Sequence, residues 1–216
     1  MFRQRSFAWL WWGQLFSITG DRFTYLALAG LFYEHSSRNP GVSYAALLAI
    51  FANVVVAPVL LFAPFTGAWV DRRNLKHLLV ASDTLRALIV VCIPILFALT
   101  RSTDIVFAMI FLLFTVNVVF LPAKSAMVPE IVRRDQLLLA NSLLAGAGIL
   151  ATAIGALAGG YIIDRWGWPL AMRLDAASYL ISVIGLSAVT YRASEHHASL
   201  APVTVSGYLH EVGTGW

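Results

Sequence analysis

Long apolar runs alternate with short polar ones from one end of this sequence to the other. Six runs reach the roughly 17–25 residues that carry a helix across about 30 Å of hydrocarbon at 1.5 Å per residue. They cover residues 7–33, 44–69, 78–99, 105–121, 138–163 and 169–191. Between them lie polar separators at 34–43, 71–77, 100–104, 122–136 and 164–168, none long enough for a soluble domain. The arrangement predicts an all-α integral membrane protein. A bundle of six transmembrane helices spans residues 1–192, and a cytoplasmic tail covers 193–216. The first run is too long for a cleaved signal peptide and is interrupted by Asp21 and Arg22, so it reads as an uncleaved helix.

Composition sharpens this reading. Of 216 residues, 59% are hydrophobic and only 12% charged, against about 25% charged in a soluble domain. Too few polar residues remain to cover a soluble core. Disorder is excluded by the hydrophobicity, and a disulfide scaffold by the single cysteine, Cys92. The net charge of +4 suits a membrane protein with basic inner loops better than a nucleic-acid binder. Arg3, Arg5, Arg72, Arg73, Lys76, Lys124, Arg133, Arg134 and Arg192 fall on one set of alternating segments. The other set holds Arg38, Arg101 and Arg165. The positive-inside rule then puts both termini in the cytoplasm of a multi-pass protein. Trp9, Trp11, Trp12, Trp69, Trp166 and Trp168 sit near run ends, where an interfacial aromatic belt lies.

Two segments repeat. Gly67 leads to Asp71 and Arg72 at the end of the second run, and Gly160 leads to Asp164 and Arg165 at the end of the fifth. Each is Gly-x-x-x-Asp-Arg. Asp83 and Asp175 then follow at nearly equal offsets. Residues of about 7–99 and 105–191 thus read as two copies of a three-helix unit. An odd number of spans per copy inverts the second against the first, the arrangement of many secondary transporters.

Ionisable groups inside a membrane cost about 2.5–3.5 kcal/mol or more each, so they mark either function or pairing. Asp21 and Arg22 point about 100° apart on the first run and cannot simply pair with each other. They are candidate ion-coupling or substrate-path groups, with pairing to neighbouring helices as the alternative. Asp83 and Arg86 share a helix face at i and i+3 and read as an intramembrane ion pair, with a partner-swapping gate as the alternative. Arg173 and Asp175 read as interfacial groups that snorkel. Asn53 and Asn117 join the substrate-path candidates, and with Asn141 they suit interhelical hydrogen bonds. Gly155 and Gly159 form a small-xxx-small pattern, followed by Gly160, and predict close packing of the fifth helix.

The segment from Gly67 through Asp71, Arg72, Arg73 and Asn74 to Lys76 resembles the loop 2–3 signature of the major facilitator superfamily. Asn74 stands where that signature has a second glycine, and Leu75 where it has a basic residue. Ser17 to Asp21, Ser82 to Ala87, Leu121 to Glu130, and Ala140 to Leu143 resemble elements of its bacterial exporter branch, which contains macrolide-efflux and enterobactin-export permeases. Gly155, Gly159 and Gly160 resemble the helix-5 antiporter motif, with Ala156 in place of its proline. The arginine that many proton antiporters carry in helix 4 is missing from 105–121.

The resemblance implies the N-terminal half of a secondary carrier in the bacterial inner membrane. It would export an amphipathic small molecule or drug by proton-coupled alternating access. Gly67, Asp71, Arg72, Arg73 and Lys76 would be its cytoplasmic latch. Implied partners are the substrate, protons, the lipid bilayer, and either a missing C-terminal half or a second copy. The segment 208–216 resembles the start of a linker between halves, so the sequence reads as a fragment, a truncated product or a dimerising half-carrier. A lipid, lysolipid or solute importer of the same fold, or a non-transporting scaffold, are the alternatives. No cofactor, metal or nucleic acid is expected. Nor is enzymatic activity: His35, His77, His196, His197 and His210 all lie outside the runs, which leaves no membrane Ser–His pair.

Overall fold

Six long helices account for most of the computed structural model, which describes residues 5–70 and 73–190. They are α1 (Arg5–Arg38), α2 (Tyr44–Val70), α3 (Leu75–Thr100), α4 (Thr103–Ile131), α5 (Leu137–Trp166) and α6 (Trp168–Ala188), with a single 3-10 turn at Arg134–Gln136. The described residues contain no strand. Connections are short and chemically defined. Asn74 caps α3 by accepting the His77 amide at 3.2 Å, which starts that helix three residues before the apolar run does. Gly167 alone separates α5 from α6. Its φ of +82° is a conformation L side chains rarely adopt, and Pro169 then fixes the first turn of α6.

The separator expected at 122–136 is largely helix. The sequence reading ends the fourth span at residue 121, before Pro122, yet α4 continues to Ile131 through both Pro122 and Pro129. In a bundle, neighbouring helices and local adjustment re-satisfy the backbone groups that proline frees. The added turns also have an apolar face to bury: Ala123, Met127 and Val128 are all in the core.

Helices α2 to α6 are long and apolar enough to cross a membrane. With 34 residues, α1 has the length but carries Gln14, Ser17, Thr19, Asp21, Arg22 and Thr24 along its middle. Packing explains the difference. Most of α1 is enclosed, chiefly by α6 and α5, with α2 and α4 also touching it, so its polar side chains need not face lipid. Gln14, Ser17 and Thr24 are buried. The most apolar stretches can face outward, and α2 does so, exposing Val56, Val59, Leu60, Leu61 and Phe65.

The packing respects an internal two-fold. Exchanging α1 with α4, α2 with α5 and α3 with α6 turns the α1–α6 contact into α3–α4. The same exchange turns α1–α5 into α2–α4 and maps α3–α6 onto itself. All five are the principal helix pairs of the bundle.

Along the bundle axis the interior has three layers. At one end Phe7, Leu10, Leu75, Leu79, Met127 and Leu186 form an apolar cluster. At the other, Leu28, Leu31, Phe32, Val90, Ile93, Ile110 and Met172 form a second. Between them every one of α1, α3, α4 and α6 contributes polar side chains. Two ties close the first end. The Lys76 ammonium donates to the Ser187 and Val189 carbonyls at 2.6 and 2.8 Å, and the Thr190 amide donates to Ser6 Oγ at 3.1 Å.

Candidate functional site

The middle layer is built on close helix approach. On α1, Gly13, Ser17, Gly20 and Thr24 recur at alternating steps of four and three, as do Asp175, Ser178, Ser182 and Gly185 on α6. The two stripes face each other antiparallel. A Cβ added to Gly20 would collide with Ser178 Oγ and Asp175 Oδ1, one on Gly13 would lie 3.3 Å from Ser182 Oγ, and one on Gly185 3.1 Å from the Trp9 carbonyl. On the opposite flank of α1, α5 runs parallel to it. Trp11 donates its indole N–H to the Leu143 carbonyl at 3.0 Å. Gly155 lies under Arg22 and Thr19, where a Cβ would stand 2.7 Å from Arg22 Cβ and from the Thr19 carbonyl. Gly159 receives Phe23 and Leu26, whereas Gly160 has open space around it.

These contacts bring acidic and basic groups of separate helices together. Arg86 and Asp83 of α3 form an ion pair, buried on both sides. The same guanidinium lies 3.4 Å from Asn117 Oδ1 of α4 and is sandwiched by rings, 3.9 Å from the Phe120 centroid and 4.7 Å from that of Tyr179. Such cation–π contacts gain strength when desolvated. Tyr179 also donates its hydroxyl to Asp21, so it joins the α1 carboxylate to the α3 arginine. Thr24 donates to Asp175, and Ser178 donates to the same carboxylate at 3.2 Å and to its backbone carbonyl at 2.7 Å. Arg22 lies 5.3 Å from the Tyr25 ring centroid.

Asp175 therefore corrects the sequence reading. It is fully buried and hydrogen-bonded rather than snorkelling, because α6 packs against α1 at that level and offers it no path to an interface. Arg173, on the other face of α6, is exposed.

Two spaces meet at the layer. A small cavity of about 80 Å³ is lined by Asp21, Arg22, Thr24, Tyr25, Arg86, Asn117 and Tyr179, among others, and can hold water on its polar walls. A larger, open cleft of about 750 Å³ runs along α1, α4 and α5, past Gln14, Ser17, Asp21, Arg22, Asn117 and Lys124, with Arg86 behind. Asp21, Arg22, Arg86 and Asn117 line both. The structure thus gathers four of the residues singled out from the sequence.

Others lie elsewhere. Asn53 is exposed on α2 and donates its amide to the Ala49 carbonyl of its own helix. Asn141 is exposed on α5. Gly67 lines a groove of about 440 Å³ between α2 and α4. Arg73 lies 5.5 Å from the Trp69 ring centroid, and Lys76 is committed to the end of α6. Asp71 and Arg72, and the tail from 191, lie outside the described residues. Among the described residues, no three His, Cys, Asp or Glu side chains gather as a metal site would require.

The sequence reading passed over Tyr179, Thr24, Ser178 and Lys124. A signal existed for the first three. A tyrosine in mid-span, away from the belts, needs a partner for its hydroxyl, and the four-and-three spacing of small residues marks an interface. Lys124 reads as a loop residue only because the apolar run stops at Leu121, whereas α4 continues to Ile131.

Comparison with known proteins agrees with the fold. The family described as Major Facilitator Superfamily matches residues 10–207. The "Uncharacterized MFS-type transporter YvqJ" of Bacillus subtilis (strain 168) is 25% identical over 215 residues, covering 99% of this chain and 50% of that protein. The chain thus spans about half the length of the curated relative it matches.

Proposed function

Because the chain belongs to the Major Facilitator Superfamily of membrane transporters, we propose that it forms six helices of a secondary carrier in the bacterial inner membrane. Both termini of this six-helix unit face the cytoplasm. The carrier expels an amphipathic small molecule by alternating access, driven by protons. The supporting observation is the middle layer: a cleft of about 750 Å³, walled by α1, α4 and α5, floored by Arg86, and lined by Asp21 and Asn117. Solute sites of secondary transporters lie near the bilayer midplane, at the interface between repeats. The cleft is open along one side, and further helices, from a second half or a second copy, would complete it.

Within this reading the three carboxylates of the layer divide their work. Asp83 and Asp175 are fully buried and held by Arg86 and by Thr24 and Ser178. They position helices. Asp21 lines both spaces, so it is the carboxylate that solvent and solute reach, and we assign it the proton. Arg73 and Gly67, with Asp71 and Arg72, form the latch at the cytoplasmic end, where Lys76 fastens α3 to α6.

The test is flux through the complete gene product in proteoliposomes. The wild type accumulates solute in the lumen when an outward-directed proton gradient (acidic lumen) is imposed, does not when the gradient is reversed, and exchanges labelled for unlabelled solute without one. Asp21→Asn keeps the exchange and loses the accumulation. Undiminished accumulation by this variant removes the coupling role, and absence of any saturable flux in the wild type removes the carrier.

A further inference from the structure

The charges that face the cleft are unequal. Asp21 is its one acidic lining residue, against Arg22, Arg86 and Lys124. Arg86 is answered from behind by Asp83. Among the described residues, neither Arg22 nor Lys124 has an ion-pair partner, and the buried Arg22 Nε has no hydrogen-bond acceptor. Asp21 already accepts a hydrogen bond from Tyr179. Cations at this depth cost several kcal/mol when unpaired, and among the described residues no carboxylate comes within ion-pair distance of these two. The uncharged lining combines polar Gln14, Ser17, Asn117 and Thr152 with an apolar stretch that includes Ile18, Leu121 and Ile149.

We propose that the cleft binds an organic anion, with a carboxylate, phosphate or sulfonate held between Arg22 and Lys124 and an apolar body against Ile18, Leu121 and Ile149. This rests on the carrier reading above and narrows its substrate class. Arg22 supplies a planar guanidinium suited to a carboxylate or phosphate edge, and Lys124 a mobile point charge. They come from different helices, α1 and α4, so an anion between them also links the two helices that wall the cleft. A cationic solute meets the opposite situation: its only partner is Asp21, which lies next to Arg22 in sequence and near Arg86.

The experiment uses three probes of one shape: 2-naphthoate, neutral 2-naphthamide and cationic 2-(aminomethyl)naphthalene. Their binding to the complete protein in nanodiscs is measured by calorimetry, and their exchange is followed in proteoliposomes. The naphthoate is expected to bind at least tenfold tighter than the amide and the amine weakest. Arg22→Gln and Lys124→Gln are each expected to reduce the anion-to-amide preference to below threefold, and Arg22→Lys to restore part of it. Arg173→Gln, an exposed arginine outside the cleft, controls for a general loss of positive charge and is expected to keep the tenfold preference. Tighter binding of the amine, an undiminished preference in the Arg22→Gln/Lys124→Gln double variant, or binding of none of the three overturns the proposal. Saturable exchange of the amine or amide without preference for the anion overturns it while leaving the carrier intact.

Discussion

Asp83 and Arg86 show how the interior tolerates charge. Each is almost completely enclosed, and each makes the other admissible there. Removing one partner of a buried pair costs about 3–5 kcal/mol, while replacing both by apolar residues is often neutral. Asp83→Leu should therefore lower the unfolding midpoint in detergent sharply, and Asp83→Leu with Arg86→Met should recover most of the loss. A double variant as unstable as the single one would show that the ion pair is not what holds this level of the bundle. Glycines give a second contrast. Gly20→Val forces a side chain into Ser178 and Asp175, and overpacking of this kind costs about 1–3 kcal/mol. Gly160→Ala meets nothing within 4 Å and should change the unfolding free energy by less than about 0.5 kcal/mol, leaving the midpoint nearly unmoved. Of these residues, the pair was readable from its i, i+3 spacing. Asp175 was misread because near-terminal position in a span says nothing about which neighbour covers it. Only packing decides whether a carboxylate snorkels or is enclosed.

Helices were legible to within a few residues where a run ended in a turn-forming residue, as at Gly167 or Asn74. They were not where a proline stood inside a packed segment. Pro122 reads as a terminator by its missing N–H, but Ala123, Met127 and Val128 continue the buried face beyond it. The consequence is functional, since it turns Lys124 from a loop residue into a lining residue. The helix contacts carry their own predictions. Gly155→Leu places a branched side chain where Arg22 Cβ and the Thr19 carbonyl stand, at the crossing of α1 and α5. It should destabilise the bundle by several-fold more than Gly146→Leu, whose site is open; equal midpoints would mean α5 does not pack here. Lys76→Met removes two charge-assisted hydrogen bonds to the end of α6. Because the lysine is partly exposed, the expected loss is about 1 kcal/mol, read as a lower melting temperature, and Arg73→Met should show none of it.

The six helices together form two apolar clusters separated by a polar plane, and the plane opens on a cleft. That plane was only partly foreseeable. Its charged members are visible in any sequence because of their cost in lipid, whereas Tyr179, Thr24 and Ser178 enter it through the meeting of α1 and α6, a tertiary fact. The two-fold relation of the halves was readable from the repeated Gly-x-x-x-Asp-Arg segments, and the helix pairs obey it. The orientation proposed from the basic loops predicts that a cysteine at Asn74, in a background with Cys92→Ser, reacts with an impermeant maleimide only from the cytoplasmic side. The decisive experiment places the cysteine in the cleft instead, at Thr152, in the same background and in the complete protein. Alternating access predicts labelling from the periplasmic side in intact cells and from the cytoplasmic side in inverted vesicles, with transported solute changing the two rates in opposite directions. Labelling from one side alone, at a rate solute does not alter, would contradict a solute path through this cleft.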